Sequence, residues 1–322
     1  MALAVAIGFD TSCYTTSIAA VDACGHVLAS HRMLLSVQSG QRGLRQSEAV
    51  FAHVRQMPLL AESLRAELVG VPVCAVAASA APAEGEASYM PVFMVGLSHA
   101  RTLAAVLGVP CYEVTHQQGH IAAGQLGAEP LAEPFVALHL SGGTTELLHV
   151  ANGHIASLGG SLDLHAGQLI DRVGVAMGLT FPAGPELEKL ALCGAAQALI
   201  PASMDRGDLA CHLSGAETRA MQWLQSKKFS REQIAAEVFD LLARTVARLL
   251  IAACKATGTN SSLVVGGVSS STLLRTLLAG RLDKAGAKLD LHFGRPEYSA
   301  DNAAGVALLG IRRYQAEREN GA

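Results

Sequence analysis

The chain has 322 residues, 50% of them hydrophobic and 16% charged, with a formal net charge of −3. That composition excludes a disordered chain and leaves room for a sizeable core and two domains. The slight acidity excludes wholesale nucleic-acid binding through a basic surface, so any such contact needs a local patch or a partner that supplies one. Seven cysteines without CxxC spacing fit neither a disulfide framework nor a zinc finger, and point to reduced thiols in the cytoplasm.

Met1 to Ile7 is apolar, without basic flanks or a cleavage site, and runs into Gly8-Phe9-Asp10. It reads as a first strand (residues 3–9) rather than a signal peptide. A hydroxyl-rich turn follows, Asp10-Thr11-Ser12-Cys13-Tyr14-Thr15-Thr16. Strands are expected over 17–21 and 26–32, with a turn at Asp22-Ala23-Cys24-Gly25 between them. Helical spacing covers 47–68; 73–79 reads as a strand, 81–91 as a loop, 92–107 as a helix and 110–114 as a strand. The apolar run near 68–83 contains Pro72 and Pro82 and is no membrane span.

Thr115-His116-Gln117-Gln118-Gly119-His120 comes next. On a helix, His116 and His120 fall on one face, one turn apart, with Thr115 as the N-cap. Two imidazoles so placed can share one ion, and imidazole suits zinc, iron, copper or nickel rather than magnesium. Gln117 and Gln118 offer no general base, which argues against a peptidase. In isolation the bland reading is two partly exposed helix histidines; the rest of the chain strengthens the metal reading.

The opening pattern then recurs. Residues 135–140 form an apolar strand, Ser141-Gly142-Gly143-Thr144-Thr145 a glycine and hydroxyl turn, and 146–150 a strand. Asn152-Gly153 signals a hairpin into a strand over 154–158. The unit strand, polar turn, strand, hairpin, strand thus appears twice, an α/β architecture duplicated without duplicated sequence. Two such units facing each other, each offering a polar loop, would make a cleft for phosphate. Helices are expected over 163–177, 185–194, 214–225 and 230–257, the last capped by Ser230. A buried strand at 263–265 ends in Gly266-Gly267-Val268-Ser269-Ser270-Ser271, a helix starts at 272, and 288–293 is a strand. The loop 295–302 leads into a closing helix.

Ser141-Gly142-Gly143-Thr144 and Gly266-Gly267 allow close backbone approach to phosphate oxygens, though neither is a P-loop, and each alone is an ordinary tight turn. Asp171-Arg172 alone reads as a surface ion pair. Asp301 alone reads as an N-cap, yet an aspartate also completes a His, His, Asp metal set with open positions.

Taken in order, these motifs resemble the TsaD family of tRNA threonylcarbamoyladenosine transferase subunits, once labelled glycoprotease or peptidase M22. The family's ETSCDET-like turn is matched by Asp10 to Thr16, its HxxGH by His116 to His120, and its SGGHT by Ser141 to Thr145. Its AGEAFDK is Ala166 to Arg172, its YPGGP Phe181 to Pro185, its FSGLKT Leu213 to Thr218, its GGVSAN Gly266 to Ser271, and its RPEFCTDN Arg295 to Asn302. The resemblance implies an actin-like ATPase (ASKHA) fold, with two duplicated α/β subdomains around a central cleft. The subdomains are expected at 1–115 and 116–301, the closing helix at 302–320 packing back on the first.

The same resemblance implies transfer of threonylcarbamoyl from its adenylate to N6 of the adenosine beside the tRNA anticodon. It implies one divalent metal, iron or zinc, on His116, His120 and Asp301. ATP or an adenylate would sit on Leu140, Ser141, Gly142, Gly143, Thr144, Asp171, Gly184, Gly266, Gly267 and Ser271; no catalytic base is assigned. The partners implied are tRNA, a related actin-like subunit and an ATPase of the tRNA-modification complex, and no membrane. Tyr14 and Thr15 stand where the family has an acidic pair, Thr144 where it has histidine, Glu217 lysine and Ser271 asparagine. These departures mark a divergent paralogue, and the alternative is a catalytically degenerate nucleotide- or metal-binding scaffold that pairs with a related subunit.

Overall fold

The computed structural model describes residues 4–12, 14–36, 44–84, 90–127, 131–205 and 209–320. Met1 to Leu3, Cys13 of the hydroxyl-rich turn and Gly85 of the 81–91 loop lie outside the described residues. The chain forms two compact units: 1–130 with 297–322, and 131–296. The sequence divides it at 115/116 and 301/302, whereas in the structure the histidine helix and Asp301 both belong to the first unit.

The first unit runs β1 (Val5–Asp10), β2 (Thr15–Asp22), β3 (Val27–Leu34), α1 (Gln46–Glu67), β4 (Val73–Ala81), α2 (Phe93–Leu107), β5 (Cys111–Thr115) and α3 (His116–Ala123). The second runs β6 (Phe135–Leu140), β7 (Thr145–Ala151), β8 (His154–Ser161), α4 (Ala166–Ala176), α5 (Gly184–Leu192), β9 (Ser203–Met204), β10 (Ala210–His212), α6 (Ser214–Ser226), α7 (Arg231–Thr257), β11 (Ser261–Val265), α8 (Thr272–Lys284) and β12 (Asp290–Phe293). The chain then returns to the first unit as α9 (Ala304–Asn320).

The sheets are ordered β3-β2-β1-β4-β5 and β12-β11-β6-β7-β8-β10-β9. In the first, β1 pairs antiparallel with β2 and parallel with β4. In the second, β6 pairs antiparallel with β7 and parallel with β11. The duplication expected from the strand pattern therefore extends to the crossover strands as well. Asn152 (φ 53°) and Gly153 (φ 74°) both adopt the left-handed backbone that a two-residue hairpin demands. The short β9 and β10 extend one edge; two or three residues are too few to show a period, so the sequence gives no signal there.

β1 is buried along its whole length because both faces of its sheet are covered. Val5, Ile7 and Phe9 pack with Met57, Leu60 and Leu64 of α1 and Leu97, Ala100 and Ala104 of α2. Ala6, Ala75 and Ala77 pack with Val306, Ala307 and Ile311 of α9 and Ala122 of α3. Alanines at the sheet allow α9 to lie close. In the second unit α7 is the central helix, capped by the Ser230 hydroxyl and packed among α5, α6, α8 and the sheet. Among the described residues no helix is long and apolar enough to cross a membrane.

Candidate functional site

α3 starts directly from the carboxyl end of β5. Thr115 accepts a hydrogen bond from the Gln118 backbone N–H (3.1 Å), and the Gln118 side chain accepts from the Thr115 N–H (2.9 Å). This capping box fixes the first turn and explains the amide at 118, which also donates to Glu84 (2.8 Å). The turn carries His116 and His120 on one face, and α9 brings the third group. A Cβ on Gly305 would lie 1.9 Å from the Gly119 carbonyl oxygen, so the two helices meet backbone to backbone only because residue 305 lacks one.

Asp301 is not the N-cap of α9. Asn302 satisfies the first N–H of the helix, accepting from the Ala304 N–H (3.0 Å) and donating to the Tyr298 (2.9 Å) and Ala300 (2.6 Å) carbonyls. Asp301 instead turns to the histidines. His116 Nε2 lies 2.9 Å from His120 Nε2 and 3.6 Å from Asp301 Oδ1, and His120 Nε2 lies 3.2 Å from the same oxygen. Donors bonded tetrahedrally to one ion at zinc-like distances sit about 3.3 Å apart. The three atoms thus have the spacing and chemistry of a ligand set for one ion.

Two further residues complete the surroundings: Asp10, to which the sequence reading gave no role, and Thr15, which it noted only as a departure from the family's acidic pair. Asp10, at the end of β1 and with no solvent exposure, holds His116 Nδ1 through Oδ1 at 3.0 Å and accepts from the Ser12 hydroxyl through Oδ2 at 2.7 Å. Thr15 donates to Asp301 Oδ2 at 3.4 Å. The signal for Asp10 was present: a carboxylate closing an all-apolar strand needs a buried partner.

Burial alone would lower the His116 pKa, but the carboxylates of Asp10 and Asp301 raise it well above the usual imidazole value. Burial alone would raise the two aspartates; His116 and His120 hold Asp301 well below the carboxylate range, and His116 holds Asp10 below it. Two carboxylates around two imidazoles make a site built to hold positive charge, as a proton or as a metal ion.

The residues expected to bind nucleotide all lie in the second unit: Leu140 to Thr144 at the carboxyl end of β6, Gly266, Gly267 and Ser271 after β11, Asp171 within α4 and Gly184 at the start of α5. The Ser141 N–H donates to the Thr144 carbonyl (2.8 Å), closing the turn, and Gly142 and Gly143 are exposed with open space around them. Gly266 (φ +95°) lets the β11 loop touch β6: a Cβ there would lie 2.3 Å from the Leu140 carbonyl oxygen. Gly267 begins a 3-10 turn, and Ser271 caps α8 through its hydroxyl (3.1 Å to the Leu274 N–H). Asp171 accepts from the Ala183 N–H (2.8 Å), next to Gly184. Burial raises the Asp171 pKa, the Ala183 hydrogen bond offsetting part of it. Crevices at the carboxyl ends of parallel strands are where open α/β sheets bind ligands.

The family model for TsaD, tRNA N6-adenosine threonylcarbamoyltransferase, matches residues 47–308. The chain belongs to the TsaD family. Solved structures with a similar fold include the activator of 2-hydroxyisocaproyl-CoA dehydratase from Clostridium difficile (13% identity, TM-score 0.53, 98% of this chain and 97% of that one). HypF from T. kodakarensis is similar over 98% of this chain and 48% of that one (14% identity, TM-score 0.63). A ROK family glucokinase from Streptomyces griseus is similar over 96% of this chain and 99% of that one (13% identity, TM-score 0.55). These likenesses show the fold, that of the actin-like ATPases.

Among the residues that depart from the TsaD pattern, Glu217 pairs with Arg172 (3.2 Å). Thr15 has become a hydrogen-bond donor to Asp301, and Thr144 stands half-buried at the turn into β7.

Proposed function

We propose that this chain is a tRNA N6-adenosine threonylcarbamoyltransferase-like enzyme, moving threonylcarbamoyl from its adenylate to N6 of the adenosine beside the anticodon. The convergence of His116, His120 and Asp301 within a TsaD-family chain carries the reading. These three side chains would hold one divalent ion, iron or zinc, and their spacing and donor types fit it. When bound, such an ion polarises a carbonyl.

The chain's own residues account for the rest. Backbone N–H groups at Gly142 to Thr144, in the turn that the Ser141 N–H closes, and at Gly266 to Gly267 would hold the phosphate of ATP or of the adenylate, and Ser271 adds a hydroxyl. Asp171, anchored beside Gly184, would accept from ligand hydroxyls. In the transfer, the N6 nitrogen bonds to the carbamoyl carbon, the bond from that carbon to the phosphate oxygen breaks, AMP departs, and the amine proton is released.

With a net charge of −3, capture of tRNA would depend on partners, namely a related actin-like subunit and an ATPase of the modification complex. A cytoplasmic location fits the six described cysteines, all of them free thiols.

A second reading is a scaffold that binds nucleotide and metal without transfer. It is favoured by Glu217, which places a carboxylate on Arg172 where the family pattern has a second cation. Metal analysis and ATP calorimetry on the wild type and His116→Ala, followed by a transfer assay on tRNA with partner proteins, separate the two. One equivalent of metal, lost in the variant, with ATP binding and modified tRNA, supports the enzyme. Metal and ATP without product supports the scaffold. A wild type that binds neither overturns the enzyme.

A further inference from the structure

Asp10 touches a proposed ligand, His116, through the ring nitrogen turned away from the ion's position. Its carboxylate is fully buried, which is costly unless both oxygens are satisfied. Oδ2 takes the Ser12 hydroxyl at 2.7 Å and Oδ1 takes His116 Nδ1 at 3.0 Å. A carboxylate only accepts, so the Nδ1 proton of His116 is committed to Asp10 and the lone pair of the neutral ring is left on Nε2. Nε2 is the atom that lies 2.9 Å from His120 Nε2 and 3.6 Å from Asp301 Oδ1.

We infer that Asp10 is a positioning residue that locks His116 in its Nδ1–H tautomer and so sets metal affinity at the His116, His120 and Asp301 site, an inference that rests on the metal reading above. Carboxylate partners of this kind orient the ring and raise its basicity, and losing one weakens binding about 10- to 100-fold. The site includes β1 for this reason: the ligands come from α3 and the segment before α9, but the tautomer is set from the end of the first strand.

The test titrates zinc(II) into full-length wild type, Asp10→Ala, Asp10→Asn and His116→Ala against a chromophoric chelator. Melting of each metal-free protein and nitrogen chemical shifts of the His116 ring are recorded alongside. Asp10→Ala should weaken zinc binding about 10- to 100-fold and lose the Nδ1–H signature. Asp10→Asn, which keeps an acceptor of the same shape, should recover part of the affinity, and it carries the test if the alanine variant does not fold. Wild-type affinity and an unchanged tautomer in folded Asp10→Asn and Asp10→Ala would overturn the proposal while leaving the metal site standing. A wild type that takes up no zinc, or a His116→Ala protein that binds it equally well, would overturn the metal reading and this proposal together.

Discussion

Asp301 and Asn302 are neighbours with different work. Asn302 satisfies the start of α9, which releases Asp301 to face His116 and His120. Either polar residue ahead of an apolar run is a plausible cap from sequence alone, and only the fold shows which one bonds to the helix start. Gly305 is as demanding, since a methyl group there has no space against the Gly119 carbonyl. Gly305→Ala is expected to lower stability by about 1–3 kcal/mol and to reduce metal content by forcing α9 off α3. Chemical denaturation with metal analysis of the same sample checks both; unchanged metal at lowered stability would show that the helix spacing is not what places Asp301. By contrast the Arg172–Glu217 pair, with side chains 54% and 22% exposed, should matter little to the fold. Glu217→Gln is expected to change stability by less than about 1 kcal/mol.

At the scale of elements, α6 begins at Ser214 in the segment that matches FSGLKT, and its N-terminus is already occupied. Asp163, from the loop after β8, accepts from the Leu213 N–H (2.8 Å), the Ser214 N–H (3.3 Å) and the Ser214 hydroxyl. Burial would raise its pKa, but these bonds bring it down to about 2. The sign is that of a depressed acid: the stabilisation is complete above the unfolded value near 3.9 and is lost as pH falls through about 2. Asp163→Asn is expected to cost about 1–3 kcal/mol at neutral pH and nothing measurable below pH 2, as read by denaturation at a series of pH values. A constant difference across pH would refute the assignment.

The two glycine turns depend on each other in the same way. Gly266→Ala is strained both by its φ and by the Leu140 carbonyl. It should lower ATP affinity more than tenfold if the turns form one phosphate site, as calorimetry would show.

At the scale of the whole molecule, the candidate metal ligands and the candidate nucleotide loops belong to different units but to equivalent places in them. Asp10 ends β1 as Leu140 ends β6, and each of these strands has a parallel neighbour, β4 and β11 respectively. The second unit is one continuous segment with its own core around α7. The first is complete only with residues 297–322, because α9 covers one face of its sheet. Removing 297–322 is therefore expected to unfold the first unit and abolish the metal site, while the second keeps its structure. Hydrogen exchange resolved along the truncated chain would show protection confined to 131–296; loss of protection throughout would mean that the second unit does not stand by itself.

Local order was legible in the sequence. The strand at 135–140, the Asn152-Gly153 hairpin, the Ser230 and Thr115 caps and the duplicated strand pattern follow from hydrophobic period and turn chemistry, which act over a few residues. The family resemblance drew His116, His120 and Asp301 into one set, and the fold brings their ligand atoms within reach of one another. What the tertiary structure decided was which unit they belong to, that Asn302 rather than Asp301 satisfies the first N–H of α9, and that Asp10 stands behind His116. Those depend on contacts between residues far apart in the chain, Asp10 and His116 being 106 positions distant. No local pattern encodes such a contact; it forms because alanines and Gly305 let α9 and α3 close over the sheet.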